Sequence, residues 1–246
     1  MIYEREKQIT FNDIDANENM SLIALLRYMT EANWGSAEEL GIGVSQIPKT
    51  NLAFVTQRIG MKIFRLPTLG ENFKLRTWPS ESRRLTFVRK GEMLSMTGEK
   101  LIEWESLWVL FNIHERKIKR PTDLQIDVPL YESQGVVIET EKIKIPDLVE
   151  CQKQASYKHL VDFSDLDSYK HMSNTIYGNL LTNVYRRGED KRPLLRPGAE
   201  IQFNYLNEGQ MDQEVVVSLK EVEKQLFIVG ETDVHTVFTA KISYEE

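Results

Sequence analysis

Two stretches of the chain repeat one phrase, and a histidine stands in only one of them. Residues 163–174 read FSDLDSYKHMSN, and residues 11–22 read FNDIDANENMSL. The offset of 152 that carries Phe11 onto Phe163 also carries Asp13 onto Asp165, Asp15 onto Asp167 and Met20 onto Met172. It places His171 where the first copy has Asn19. Histidine titrates near neutrality, so it can orient or relay a proton where asparagine cannot. The paired aspartates recur without the histidine and therefore have a structural part, because carboxylates beside a helix start accept its orphan N–H groups. Asp13 and Asp15 read as structural, whereas Asp167 can serve both structure and chemistry.

Each phrase opens a helix. After the first, Leu22, Leu25, Leu26, Met29 and Ala32 recur at helical spacing, with Ser21 placed to cap the start and Gly41 to stop it. After the second, Ile176, Tyr177, Leu180, Leu181 and Val184 repeat the spacing, with Ser173 as cap and Gly188 as stop. Strand-like segments follow each helix. In the first half they are RIGMKIFRL, NFKLRTWPSE, RRLTFVRKGEML and LIEWESLWVLFN. In the second they are AEIQFNYL, QEVVVSLKEVE, QLFIVGE and HTVFTAKISYE. Their period-2 stretches predict half-buried antiparallel strands, and such a sheet buries its apolar face most simply by wrapping its own helix.

The 246 residues suit two units of similar size, each large enough for a core. A net charge of -6 argues against a general nucleic-acid binder. The single cysteine, Cys151, rules out an internal disulfide framework and reads as an inert thiol. No apolar run is long enough to span a bilayer, and the charged start MIYEREKQITF is no secretory leader, so the expected compartment is the cytoplasm. No His, Cys, Asp or Glu cluster has metal spacing, and no glycine-rich phosphate loop occurs, so no metal or organic cofactor is expected. His114, His159 and His235 lack partnered motifs and read as structural or surface residues. The aromatic residues of WESLWVLF read as core packing.

The Asp-aliphatic-Asp phrase, its histidine and its Tyr-containing helix resemble the hotdog-fold thioesterases. RIGMKIFRLPTLGENFKLRTWP, ESLWVLFNIHERKIKRPTD and FSDLDSYKHMSNTIY resemble, in that order, three segments of the plant and bacterial acyl-ACP thioesterases. The resemblance covers nearly the whole chain. It implies an α+β fold of two tandem hotdog units, each a long helix wrapped by an antiparallel sheet. Residues 1–130 would form the N-terminal unit with much of the acyl pocket, 131–149 the connecting segment, and 150–246 the C-terminal unit with the catalytic residues.

The resemblance also implies roles. Glu208, in YLNE, would be the base that draws a proton from an attacking water. His171 would orient that water or the carbonyl, and Asp167 would hold the loop and tune the histidine. The N–H groups near Ser173 and Asn174 are suited to polarising a thioester oxygen. Two positions depart from the family pattern. Gly209 stands where a cysteine often follows the glutamate, which excludes a thiol nucleophile there. Tyr169 stands where the family has asparagine, and a phenol cannot reproduce a carboxamide's donors and acceptor. Tyr169 is thus expected to contact substrate or to mark an altered activity, with Asn174 as a partial substitute.

The implied activity is hydrolysis of fatty acyl thioesters on acyl carrier protein, with acyl-CoA hydrolysis or non-catalytic acyl-thioester binding as alternatives. Two basic patches could meet the acidic carrier: Arg186, Arg187, Lys191, Arg192 and Arg196, or Arg116, Lys117, Lys119 and Arg120. A monomer and a homodimer both fit, since a tandem pair already mimics the usual hotdog dimer.

Overall fold

The computed structural model describes residues 2–124, 127–132, 135–146 and 153–245. The first helix, α1 (Leu22–Glu39), begins as expected: the Ser21 hydroxyl accepts the Ala24 N–H at 3.3 Å. It ends at Leu40, and Gly41 then takes the left-handed conformation (φ 70°) that suits glycine. A short α2 (Ile47–Thr50) follows. The second long helix, α3 (Ile176–Arg187), starts later than its spacing predicted. Ser173 is not its cap. Residues 173–175 form a turn closed by the Ile176 N–H on the Ser173 carbonyl (2.9 Å), and Thr175 becomes the cap residue. The Ser173 hydroxyl instead engages the Thr175 hydroxyl at 3.1 Å. Gly188 does end α3, in extended backbone.

Eleven strands form a single antiparallel sheet. The first half supplies β1 (Tyr3–Gln8), β2 (Leu52–Ile63), β3 (Asn72–Ser82), β4 (Phe87–Ser95), β5 (Lys100–Asn112) and β6 (Lys117–Lys119). The second supplies β7 (Lys153–Leu160), β8 (Ala199–Tyr205), β9 (Glu214–Val222), β10 (Gln225–Glu231) and β11 (Thr236–Tyr244). Their order is β1-β3-β4-β5-β2-β8-β11-β10-β9-β7, with β6 on β5. The two ends of that order, β1 and β7, were not among the expected strands. Both are edge strands rich in charge, which blunts an open edge but hides the strand signal. The halves join where β2 pairs with β8, in the register Arg58↔Asn204, Gly60↔Gln202 and Lys62↔Glu200.

The sheet wraps both long helices, giving two tandem hotdog units with one shared core. Leu22, Leu25, Leu26, Met29 and Ala32 of α1 are buried together with Tyr177, Leu180, Leu181 and Val184 of α3. The same cluster includes Phe73 and Trp104 from the first half and Phe203 and Phe238 from the second. The helices touch at Gly178, where a Cβ would lie 2.9 Å from Leu26 Cδ1 and 3.3 Å from the Ile23 nitrogen. A larger side chain there would force them apart.

Residues 135–146 cross the other face of the sheet. Glu103, fully buried, accepts the N–H groups of Val137 and Ile138 and pairs with Lys100 at 3.0 Å. Glu105 accepts Thr140, Asn204 binds Ile143 N–H and the Glu141 carbonyl, and Gln202 donates to the Glu139 carbonyl. This strap therefore hydrogen-bonds to strands of both halves. Replacing Glu103 by alanine should lower the unfolding free energy by about 3 kcal/mol, since it removes a buried acceptor of two N–H groups and strands a lysine. Urea unfolding checks this, and a loss below about 0.5 kcal/mol, typical of a neutral surface change, would mean that the strap does not depend on it.

Candidate active site

The duplicated phrases fold into loops closed by the same backbone hydrogen bonds. In each, the second aspartate's N–H donates across the loop: Asp15 to Asn19 O (2.7 Å) and Asp167 to His171 O (2.9 Å). The N–H of the following serine donates to the first aspartate's carbonyl, Ser21 to Asp13 (2.8 Å) and Ser173 to Asp165 (2.9 Å). Glu18 and Lys170 both adopt positive φ, 60° and 65°. The first aspartates are anchors. Asp13 accepts from the Thr10 hydroxyl and N–H and from the Tyr28 hydroxyl, while Asp165 accepts the Asp162 N–H and meets His159 at 2.7 Å. His159 thus has the structural role expected of it.

The loop in the second unit carries His171 toward Glu208, which sits in the turn after β8. His171 Nε2 and Glu208 Oε2 lie 3.0 Å apart, both half-buried. The Met172 N–H donates to the Gly209 carbonyl at 2.8 Å and clamps the two loops together. Gly209 suits that closeness, because a Cβ there would lie 3.2 Å from Met172 Cβ and the Met172 side chain would have to give way. A cysteine in its place would press directly on the residue after the histidine. Asp167 holds its loop by accepting the Tyr169 N–H at 2.8 Å. Among the described residues its carboxylate makes no hydrogen bond to the imidazole, so it shapes the turn that presents His171.

The first unit has lost both members of the pair. The N–H groups of Leu206 and Asn207 donate to the Val237 carbonyl just as those of Phe64 and Arg65 donate to the Leu101 carbonyl. Glu208 therefore corresponds to Leu66, as His171 corresponds to Asn19. The position of Tyr169 is held in the first copy by Asn17.

A cavity of about 310 Å³ adjoins the His171 loop. Asp167, Tyr169, Ser173 and Asn174 line it from the second unit. Its other walls come from the first unit: the C-terminal half of α1 with Asn33 and Trp34, the α2 region, and Phe87, Arg89 and Trp108 of the sheet. Trp108 thus faces a cavity, whereas Trp104 is core as expected. His171 and Glu208 sit beside this cavity and not on its wall. The Asn174 N–H, at the cavity edge, has no acceptor among the described residues. The corresponding space beside the first loop is only about 120 Å³, with Leu194 and Leu195 packed into it.

Two features escaped the sequence reading. Arg116, counted only within a basic patch, lies with its guanidinium 3.8 Å from Glu208, reaching the second unit from the β5–β6 turn. Tyr177, counted only as an apolar helix position, is buried against Tyr205 and Phe238. Burial drives its hydroxyl well above the usual tyrosine range, the Asp167 and Glu208 charges push the same way, and a Gly209 backbone hydrogen bond opposes them. It stays a neutral phenol beneath the site. Cys151 lies outside the described residues. Among those described, no helix is long and apolar enough to cross a membrane and no group of three or more candidate ligands could hold a metal.

The acyl-ACP thioesterase N-terminal domain, as a sequence family, matches residues 1–128, more than half of the chain. This chain belongs to the acyl-ACP thioesterase family. A chloroplastic acyl-carrier-protein hydrolase of Cuphea viscosissima is 25% identical over 188 residues, covering 72% of this chain and 45% of that protein. A chloroplastic palmitoyl-acyl carrier protein thioesterase of Gossypium hirsutum is 27% identical over 191 residues, with the same coverage. The chain thus spans about half the length of these curated relatives. Its fold matches an acyl-ACP thioesterase from Bacteroides thetaiotaomicron with a TM-score of 0.80, at 19% identity over 99% of this chain and 98% of that one. The 12:0-ACP thioesterase from Umbellularia californica gives 0.76, at 17% identity over 99% and 97%.

The Asp13 anchor has a pH signature. Burial raises its pKa, but the Thr10 and Tyr28 hydrogen bonds and the Arg27 charge outweigh this and leave it lowered. A depressed folded-state pKa stabilises above the unfolded value and loses that stabilisation as pH falls through the folded one. Asp13→Asn should therefore cost about 2 kcal/mol at neutral pH, with the gap to the parent protein closing below about pH 4. Denaturation across pH tests this; a gap constant down to acid pH would mean that the carboxylate charge is irrelevant.

Proposed function

We propose that this protein hydrolyses fatty acyl thioesters carried by acyl carrier protein, releasing fatty acid and free carrier. The observation that carries this reading is the 3.0 Å approach of His171 to Glu208 next to a cavity built largely by the other unit. Residues 1–130 would supply the acyl pocket, 150–246 the chemistry, and 131–149 the connection between them.

In this reading the acyl chain enters the cavity past Tyr169 and its carbonyl rests by the start of the second helix. Glu208 takes a proton from a water that attacks the carbonyl carbon, while His171 positions that water. Negative charge then gathers on the carbonyl oxygen, where the unpaired Asn174 N–H can donate to it. As the tetrahedral species collapses, the C–S bond breaks and the proton passes to the leaving sulfur. Ser173 shapes the turn that presents Asn174, and Asp167 the turn that presents His171. The cysteine-free chemistry agrees with Gly209 after the glutamate.

The carrier would approach from the Arg116 side. Arg116 already leans over Glu208, and Lys117 and Arg120 make no ion pair among the described residues. The other basic patch is largely occupied by its own surroundings: Asp190 pairs with Arg192 at 2.9 Å and with Arg196 at 3.4 Å, and Arg187 lies over the Tyr157 ring. Acyl-CoA hydrolysis uses the same residues and separates from this reading only by carrier.

Free-thiol release from matched acyl-ACP and acyl-CoA substrates tests the proposal. Glu208→Gln and His171→Ala should each lower kcat/KM by about 10²- to 10⁴-fold with an unchanged unfolding midpoint. Full activity in either folded variant would remove that residue from the mechanism. Tyr169→Asn should keep or raise activity, and a folded but inactive Tyr169→Asn would make the phenol a working part. Saturable acyl-ACP binding with no turnover by the parent protein would instead establish a binding module.

A further inference from the structure

The cavity has a cation in its wall that an ordinary fatty acyl chain has no use for. Arg89 is on β4, its side chain directed inward beneath α1, and only 8% of it is accessible. One guanidinium nitrogen donates to the Ser36 hydroxyl at 2.9 Å and lies 3.5 Å from the Thr77 hydroxyl. No carboxylate lies within ion-pairing distance among the described residues, and the remaining N–H groups have no protein acceptor there. Lys90, the other described lysine or arginine buried to this degree, pairs with Glu105 at 3.4 Å. Burial pushes the Arg89 guanidinium down to about 10, which leaves it charged at neutral pH.

The surroundings continue the polar theme. Asn33 accepts from the Thr77 hydroxyl at 3.1 Å, and Thr30 and Asn33 line the same space as Arg89. Phe54, Phe87, Trp34 and Trp108 supply apolar wall around them. An apolar cleft with one planar, doubly donating cation is the form of a carboxylate receptor with an aliphatic approach.

We infer that the acyl group this cavity takes carries a carboxylate along or at the end of its chain, received by Arg89 with Asn33, Ser36 and Thr77 around it. The inference rests on the cavity holding the acyl chain, as proposed above. A carboxylate would complete the missing ion pair, and its bidentate fit to the guanidinium would discriminate against a plain alkyl end, which leaves the charge buried and unpaired.

Two measurements separate this inference from the hydrolase reading. In the first, calorimetry compares octanoate with the uncharged octanamide on the parent protein, Arg89→Met and Arg89→Lys. Octanoate should bind at least about tenfold tighter to the parent; Arg89→Met should erase the preference and Arg89→Lys should keep part of it. In the second, kcat/KM is compared for octanoyl-ACP and its ω-carboxy counterpart. The ω-carboxy substrate should be favoured by about tenfold in the parent and disfavoured in Arg89→Met. Equal binding of octanoate and octanamide by the parent protein, or turnover preferring the plain chain, overturns the inference and leaves the hydrolase reading standing. An Arg89-dependent preference for octanoate, with no turnover of any thioester, sinks the hydrolase reading and keeps the carboxylate site. The parent-protein comparisons stand even if a variant fails to fold.

Discussion

The backbone pairing of β2 with β8 is the interaction on which the site depends. Those strands close two half-sheets into one, with Gly60 opposite Gln202 near the centre of the join. Because the pairing is antiparallel, each unit's Asp-aliphatic-Asp loop is carried toward the other unit's helix. The His171 loop then abuts the C-terminal half of α1 and adjoins a cavity that its own unit does not build. The close contact at Gly178 holds the two helices against each other inside the wrap, and the strap over residues 135–146 bonds to strands from both halves on the opposite face. A fault in the join would displace the cavity wall from the loop without touching any site residue.

Duplication leaves a pseudo-symmetric molecule, and the two halves depart from that symmetry at the polar pair and at the cavities. The anchoring hydrogen bonds survive in both loops because each closes a turn that starts a helix. The polar pair survives in one: Asn19 and Leu66 replace the histidine and the glutamate in the other. The cavities follow the same division. α3 has six fewer helical residues than α1, and Leu194 and Leu195, which follow it, line a space of only about 120 Å³ where about 310 Å³ is open beside α1. One unit thus lacks the polar pair and has the larger hollow, while the other has the pair and the smaller hollow. Each half depends on the other for what it lacks.

Much of this was legible in the residues. The repeat, the two helices and eight of the strands follow from spacing, and the family from three ordered blocks. What was hidden has physical reasons. β1 and β7 are edge strands, and a charged edge has no apolar alternation to read. Serine favours the cap position, but the Ser173 hydroxyl turns to Thr175 and the helix starts only after a further turn has closed. Arg116 reaches Glu208 from across the join, a distance of ninety-two residues along the chain that no local pattern encodes. Arg89 lies in the expected strand RRLTFVRKGEML, whose sequence does not say which row of side chains faces the core. Only the register, which sets it opposite Pro79 and Ser106 on the inward row, shows that it is enclosed.

That enclosure bears on how the cavity can be filled. A buried guanidinium without a counter-ion opposes folding, and replacement by an apolar side chain of similar size commonly stabilises such a site. Hydroxyls from Ser36 and Thr77 recover part of the lost hydration but none of the charge. A long alkyl chain pressed past Arg89 would strip away remaining solvation and recover nothing, so the same residue that welcomes an anion penalises a plain hydrocarbon. Selectivity from an unsatisfied polar group exceeds what an apolar pocket obtains from one methylene more or less. The cavity wall therefore discriminates by charge at Arg89 and by shape at Trp34, Phe54 and Trp108, and of the two the charge has the larger effect.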